Sequence, residues 1–153
     1  MILSIDPGRT TGFAFSDRTT GTYTPRRGDD GEAIWRWMGW LADLLDTRQV
    51  QQVVIERPFL RGVADADFTL SLAKLGHAIA FSRDIPRVEY SAATWRPMIF
   101  GKGVWARLPK SASARDKFKV AEAINFGWPV QNDHEADAAL MLEAHLGTLR
   151  GSA

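Results

Sequence analysis

Three short apolar runs near the N-terminus are separated by turn-forming residues. The runs cover residues 2–6, 12–16 and 22–24, and the turns between them contain glycine or proline. Runs of four or five apolar residues bounded by such breakers are typical of β-strands. The pattern therefore predicts a meander of three consecutive antiparallel strands.

The rest of the chain combines helical spacing with two further strand-like runs. Apolar residues recur every three to four positions, as on one face of a helix, from residue 34 to 45 and again from about 64 to 82. The sequence predicts strands at 52–56 and 87–90, and later helices at 91–100, 115–125 and 132–146. Residues 101–114 are predicted to be irregular. We expect a single α/β domain over residues 1–153, with no linker or internal repeat.

Composition narrows the class of protein. The chain has 153 residues, 45% of them apolar, which is enough for a substantial core. Cysteine is absent, which excludes disulfides and thiolate metal sites. We find no apolar stretch long enough to span a bilayer and no signal-peptide pattern, so we expect a cytoplasmic protein without a membrane partner.

Charge is unevenly distributed, although the formal net charge is only +1. Residues 87–119 contain eight basic and two acidic side chains, whereas residues 120–153 contain one basic and five acidic ones. A basic segment beside an acidic one suits an enzyme that holds a polyanion near metal-binding carboxylates. An ordinary solvated surface is the alternative interpretation.

Acidic residues end two of the predicted strands and lie on the apolar face of the last helix. Asp6 ends the first strand, Glu56 ends the fourth, and Asp137 shares a helical face with apolar residues. Buried charges need partners, and a shared Mg²⁺ or Mn²⁺ ion is the simplest one. Asp133 and His134 precede Asp137 by four and three residues, which places both beside it on a helix. Singly, these residues could also be a turn opener, a strand end or a helix cap.

Three segments in this order resemble the RuvC-type Holliday junction resolvases of the ribonuclease H-like nuclease superfamily. The first is Ile2-Leu3-Ser4-Ile5-Asp6-Pro7-Gly8 with Thr11-Gly12, the second is residues 54–59, and the third is residues 134–140. Weaker matches occur at 101–103 and 116–117. The resemblance spans nearly the whole chain.

The resemblance implies a ribonuclease H-like fold, with a five-stranded mixed sheet and helices on both faces. It also implies a homodimer that resolves four-way and other branched DNA junctions by paired nicking, with two Mg²⁺ or Mn²⁺ ions per site. By position, Asp6, Glu56 and Asp137 would be catalytic, metal-binding carboxylates. His134 falls at the remaining ligand position of the family, and Asp133 could substitute for it.

The resemblance also suggests residues that contact DNA. Phe59 matches an aromatic residue that opens the junction centre, and Lys117 matches a catalytic lysine near the scissile phosphate. Residues 104–114 depart from the family and look like an insertion, which could contact DNA or form a mobile loop. The predicted DNA contacts are Phe59, Arg61, Lys102, Arg107, Lys110, Arg115 and Lys117.

Other functions stay open at the level of sequence. Asp6-Pro7-Gly8 with Thr10, Thr11 and Gly12 also resembles the first phosphate loop of actin-like ATPases, which would make the chain a nucleotide-binding module. A junction-binding protein without catalysis and an RNA-processing relative are further alternatives. A bacteriophage or prophage origin is compatible with the insertion.

Overall fold

The computed structural model describes residues 1–26, 28–58 and 65–151, which form an α/β sandwich. The strands within these ranges are β1 (Ile2–Asp6), β2 (Thr11–Phe15), β3 (Thr20–Tyr23), β4 (Gln52–Arg57) and β5 (Arg87–Ser91). The helices are α1 (Asp30–Thr47), α2 (Ala66–Phe81), α3 (Ala92–Phe100), α4 (Val104–Arg107), α5 (Ala112–Asn125) and α6 (Asp133–Gly151). None of these helices is long and apolar enough to cross a bilayer.

The five strands form one mixed sheet in the order β3-β2-β1-β4-β5. The predicted meander is confirmed, because β1 pairs antiparallel with β2, and β2 with β3. β4 pairs parallel with both β1 and β5. In this register Ile5 of β1 lies opposite Ile55 of β4, and Asp6 lies opposite Gly12 of β2.

Alternation along the strands divides the apolar residues between the two faces of the sheet. Leu3, Ile5, Val53 and Ile55 pack under α1 and α2 in one core. Ala14 and Val54 face the opposite side and pack with residues of α3, α5 and α6 in a second core. The predicted five-stranded mixed sheet with helices on both faces is therefore confirmed.

The segment predicted to be irregular contains more helix than expected. Val104–Arg107 forms the short helix α4, and α5 begins at Ala112, three residues before the predicted start. The Ser111 side chain accepts a hydrogen bond from the backbone N–H of Ala114 at 3.4 Å, which caps α5. Residues 104–114 thus contain a helical turn and the start of α5.

Ser91 directly precedes α3, but its hydroxyl does not cap the backbone of the helix. The Ser91 Oγ atom instead lies 2.9 Å from the hydroxyl of Thr94. The helix predicted at 91–100 is thus observed at 92–100, and its start has a side chain–side chain hydrogen bond in place of a side chain–backbone one.

Candidate active site

Asp6 and Glu56 point toward the same face of the sheet. Ile5 and Ile55 belong to the core under α1 and α2, so the residue that follows each of them faces the other side, toward α6. β1 and β4 are parallel neighbours, and Asp6 and Glu56 each lie one residue beyond the paired isoleucines. The two carboxylates therefore meet at the carboxyl end of the central strands.

The N-terminus of α6 is fixed by side chains that hold its first turn. The Asn132 side chain accepts a hydrogen bond from the Glu135 N–H at 3.0 Å and donates one to the Glu135 carboxylate at 3.0 Å. Glu135 also accepts hydrogen bonds from the Gln131 N–H and the Thr20 hydroxyl, each at 3.1 Å. These bonds satisfy free donors of the helix end and tie α6 to β3.

Gly12 lets α6 approach the sheet closely beside Asp6. A Cβ atom added at Gly12 would lie 1.9 Å from the backbone oxygen of His134. Only a residue without a side chain fits between β2 and the first turn of α6. This contact places Asp137, one turn further along α6, over the end of the sheet that carries Asp6.

The three carboxylates lie close enough to perturb one another. Burial raises the pKa of Asp6 well above its usual value, and the charges of Glu56 and Asp137 raise it further. Burial, followed by the charge of Asp137, raises the pKa of Glu56 to about 7. Burial also raises the pKa of Asp137. The predicted acidic residues thus share one electrostatic site, in which ionisation of each group opposes that of the others.

Lys119 of α5 is the closest cation to this site. Its ammonium lies 2.5 Å from the Asp137 carboxylate, 3.3 Å from that of Asp116 and 3.9 Å from that of Asp133. Burial alone would lower the pKa of Lys119, but these carboxylates outweigh it and raise the pKa, so the side chain is charged. Arg96 of α3 adds a second cation, 3.8 Å from the other oxygen of Asp137.

Trp95 orients Glu56 from the other side. Its indole N–H donates a hydrogen bond to Glu56 at 2.9 Å, and the ring is fully buried in the second core. This bond partly offsets the rise in the pKa of Glu56. A donor held by a rigid, buried ring fixes the position of one carboxylate oxygen.

The carboxylates of Asp6, Glu56 and Asp137 are ligand types that suit a hard divalent cation, but their positions do not form a metal-binding group. Within the described ranges, no group of three or more His, Asp or Glu side chains is arranged so that it could hold a metal ion. Yet one oxygen of Asp137 is buried without a hydrogen-bond partner among the described residues, and the neighbouring carboxylates repel one another. Carboxylate oxygens are the ligands that Mg²⁺ and Mn²⁺ prefer, and a bound cation would pair the free oxygen and reduce the repulsion.

The structure distinguishes the two candidates for a fourth ligand by their surroundings. Asp133 lies within the charge cluster, because its carboxylate is near Lys119 and its charge raises the pKa of Asp137. It is a first-turn residue of α6, and Asn132 rather than Asp133 supplies the cap. His134 is half-buried, with its backbone against Gly12. A ligand role for either side chain stays a prediction.

Lys117, the predicted catalytic lysine, is exposed on α5, two residues from the buried Lys119. Its proposed contact with a phosphate is untested. Lys119, Arg96 and Trp95 are site residues that sequence reasoning did not single out. One signal was available for Lys119, which lies four residues before Ala123 and therefore on the buried face of α5.

The predicted DNA contacts fall into three groups. Lys102, Arg107 and Lys110 are exposed, as a phosphate-binding surface requires. Arg115 is half-buried, with its guanidinium 5.2 Å from the ring centre of Trp105. Phe59 and Arg61 lie outside the described residues.

Thr11 bears on the alternative of a nucleotide-binding loop. Its hydroxyl donates to the Gly8 carbonyl at 3.1 Å and accepts a hydrogen bond from the Trp37 indole at 2.9 Å. The side chain is fully buried, so its hydroxyl holds the turn after Asp6 and is not available to a phosphate. This contact weakens the resemblance to an ATPase phosphate loop.

Comparison with known proteins identifies similar sequences. No family model matches the chain. Two curated relatives, each named crossover junction endodeoxyribonuclease RuvC, come from Xanthomonas campestris pv. campestris strains B100 and 8004. Each is 30% identical over 155 aligned positions, which cover 90% of this chain and 80% of the relative.

Solved structures share the fold at lower sequence identity. Thermus thermophilus RuvC has a TM-score of 0.74 at 16% identity, covering 99% of this chain and 96% of that one. RuvC of the same organism in complex with a Holliday junction substrate has a TM-score of 0.68 at 14% identity, covering 97% and 94%. The yeast mitochondrial Holliday junction resolvase Ydc2 has a TM-score of 0.51 at 12% identity, covering 94% and 77%.

Proposed function

Because the chain belongs to the RuvC family of crossover junction endodeoxyribonucleases, we propose that it is a divalent-metal-dependent nuclease that resolves four-way DNA junctions. The observation that carries this proposal is the convergence of Asp6, Glu56 and Asp137, from three separate elements, in one electrostatic site. The spread of these residues along the sequence argues against a chance cluster of surface acids.

Asp6, Glu56 and Asp137 would hold the metal, with His134 or Asp133 as a further ligand. Bound Mg²⁺ or Mn²⁺, as two ions per site, would supply activation of the attacking water and stabilisation of the leaving oxygen of a phosphodiester. Trp95 keeps one oxygen of Glu56 in a fixed position through its hydrogen bond. The carboxylates would then present several oxygens on one side of the sheet.

Lys119 and Arg96 would stabilise negative charge that arrives with the substrate. Both cations contact Asp137, so they lie where the scissile phosphate must approach the carboxylates. A buried, positioned cation stabilises developing charge better than a solvated one, since it loses no further hydration during the reaction. Lys117 would contribute from the exposed side of the same helix.

The substrate surface would extend over the basic part of the chain. The exposed Lys102, Arg107 and Lys110 can neutralise phosphates, which supplies affinity without sequence selection. In a two-fold dimer, two such sites would cut symmetrically placed strands of a branched DNA. A homodimer is therefore part of the proposal.

A synthetic four-way junction incubated with Mg²⁺ or Mn²⁺ tests this function. Wild-type protein is expected to introduce paired nicks, and Asp6→Asn to lose cleavage while still binding the junction in a gel-shift assay. Glu122→Gln, which changes a carboxylate of α5 that accepts a hydrogen bond from Asn125 and none from the site, serves as the control and should cleave normally. Equal cleavage by wild type and Asp6→Asn would falsify the assigned chemistry, and tight binding without nicking under either ion would favour a non-catalytic role.

A further inference from the structure

A cleft of about 580 Å³ opens beside the carboxylate cluster. Its walls include Arg57, Pro58, Ala92, Arg96, Pro97 and Trp105. The volume lies within the range of roughly 300–1,000 Å³ that small-ligand sites occupy. Arg96 lines the cleft and lies 3.8 Å from Asp137, so this Trp105 cleft shares a wall with the candidate active site.

Trp105 is held in place by neighbours on α3 and α5. Its ring stacks on Phe100 at 5.8 Å between ring centres and 14° between planes. The Arg96 guanidinium lies 4.2 Å from the centre of the Trp105 ring, and that of Arg115 lies 5.2 Å from it. Trp105 thus gives the cleft a flat aromatic wall, with the Arg96 guanidinium packed against its ring.

Two of these guanidinium groups have hydrogen-bond donors that the protein does not use. The Nε atoms of Arg96 and Arg115 are buried, and neither has a hydrogen-bond partner among the described residues. A charged group with an unpaired N–H is not fully satisfied by the protein alone. The Arg96 side chain is 22% exposed and lines the cleft, so the rest of its guanidinium can donate to a phosphate oxygen or a nucleobase carbonyl that a DNA substrate would bring.

Most of the remaining lining is apolar and comes from Pro58, Ala92, Ala93 and Pro97, and Ser91 adds one polar residue. Flat apolar surface combined with cationic donors matches a nucleobase joined to its phosphate, because bases stack on aromatic and guanidinium planes. An apolar peptide would leave the arginines unpaired. A free phosphate would leave the apolar walls uncovered.

We propose that the Trp105 cleft binds an unpaired nucleobase beside the phosphate that is cut. This inference rests on the proposed function and adds a recognition element to it. The base would lie against the Arg96–Trp105 stack while its phosphate reaches the carboxylates on the other side of Arg96. Since Trp105 lies in the segment that departs from the family, the chain would select its cleavage position through its own insertion.

The test measures junction binding in Ca²⁺ or EDTA, where cleavage is suppressed. Wild type, Trp105→Ala and Trp35→Ala are compared on an intact four-way junction and on a series with one abasic site at each position near the cut. Trp35 is a suitable control, because it is 74% exposed on α1, across the sheet from the cleft. We expect Trp105→Ala to weaken binding of the intact junction by roughly 10-fold and Trp35→Ala to leave it unchanged.

The decisive result is that the losses of binding affinity from the Trp105→Ala substitution and from the abasic site are not additive. At one abasic position, the affinity of wild type for the junction should fall by the same roughly 10-fold, and the affinity of Trp105→Ala should fall no further. Additive losses of affinity at every abasic position, or no loss of affinity in Trp105→Ala, would overturn the cleft as a base site.

If Trp105→Ala fails to fold, Arg57→Gln repeats the test, since the Arg57 side chain is 62% exposed. Wild type that neither binds nor cuts junctions rejects the proposed function, whereas wild type that cuts without any abasic effect rejects the cleft alone.

Discussion

The ammonium of Lys119 lies 2.5 Å from the carboxylate of Asp137, and only 5% of the Lys119 residue is exposed. This pair links α5 to α6 beside Asp6 and Glu56, whose pKa values are raised by burial and by neighbouring carboxylates. The protein therefore supplies its own positive charge to a site whose carboxylates we propose as metal ligands. A divalent ion that binds Asp137 must compete with a side chain that is already in place.

We expect Lys119→Met to destabilise the metal-free protein. Removal of one partner of a buried ion pair leaves the other charge uncompensated, which costs about 3–5 kcal/mol. Lys117→Met is the matched control, because Lys117 is exposed on the same helix and should change stability by less than about 0.5 kcal/mol.

Urea unfolding in EDTA measures both variants. Addition of Mn²⁺ should then stabilise Lys119→Met more than wild type, since the ion no longer has to displace the ammonium. Equal stability of the two methionine variants in EDTA would contradict the structural role given to Lys119.

The stability of the metal-free protein should fall as the pH rises from about 4.5 to about 7. Glu56 has a pKa of about 7 in the folded state, above its ordinary value of 4.5, so the folded protein holds a proton that the unfolded chain has released. Stability that depends on this proton is present at low pH and is lost as the pH approaches 7. The raised pKa values of Asp6 and Asp137 act in the same direction.

Glu56→Gln should remove a large part of this pH dependence, on the order of 3 kcal/mol across the window. The free energy of unfolding at about pH 5 and about pH 7.5, in EDTA, gives the difference for each protein. Glu122→Gln is the control and should keep the wild-type slope. An unchanged slope in Glu56→Gln would mean that Glu56 is not the group that titrates.

Gly12→Ala should disturb both stability and the site. The added methyl group would collide with the backbone of His134 at 1.9 Å, and a backbone atom cannot rotate away. We expect a loss of several kcal/mol, because overpacking at a contact between strand and helix forces the elements apart. Cleavage should fall along with stability, since α6 carries Asp137.

Gly39→Ala should change the stability of the protein in the opposite direction to Gly12→Ala. Gly39 lies inside α1, and a Cβ atom there meets nothing within 4 Å. Alanine favours a helix over glycine by about 1 kcal/mol, so this variant should melt slightly higher than wild type. Thermal melts of the two variants compare them directly, and similar shifts would refute the close approach at Gly12.

Trp95→Phe should slow cleavage by roughly 10-fold in single-turnover assays. The substitution keeps an aromatic ring in the core but removes the hydrogen bond that positions Glu56, and loss of such supporting bonds typically costs 10–100-fold in activity or metal affinity. Trp128→Phe is the matched control, since the Trp128 indole also donates to a buried glutamate, Glu143, at 3.3 Å. If both variants lose the same activity, the effect belongs to core packing rather than to Glu56.

Much of the fold could be predicted because strand and helix patterns are local. The meander at the N-terminus, the existence of β4 and β5 and the long helices all follow from apolar spacing and from glycine and proline positions. The part that was missed, α4 with the start of α5, contains little apolar periodicity. Trp105 stabilises it by packing on Phe100, which the spacing of residues does not reveal.

The site was only partly predictable for a similar reason. Asp6, Glu56 and Asp137 could be found because a charge beside a buried run is conspicuous. Lys119 and Arg96 could not, since basic residues are common in that segment and only the packing of α5 and α3 decides which of them faces Asp137. Lys117 and Lys119 are two positions apart on one helix, yet the first is exposed and the second is buried. The family resemblance does not indicate this difference.

The sheet divides the molecule into two cores, and all three carboxylates face only one of them. Engineering for heat resistance can therefore be confined to the α1–α2 layer, where repacking leaves the carboxylate spacing alone. Trp37 is an exception, because its indole donates a hydrogen bond to Thr11, whose hydroxyl holds the turn after Asp6. A thermostable variant should keep this tryptophan together with Ile5 and Ile55, which directly precede Asp6 and Glu56 in the strands.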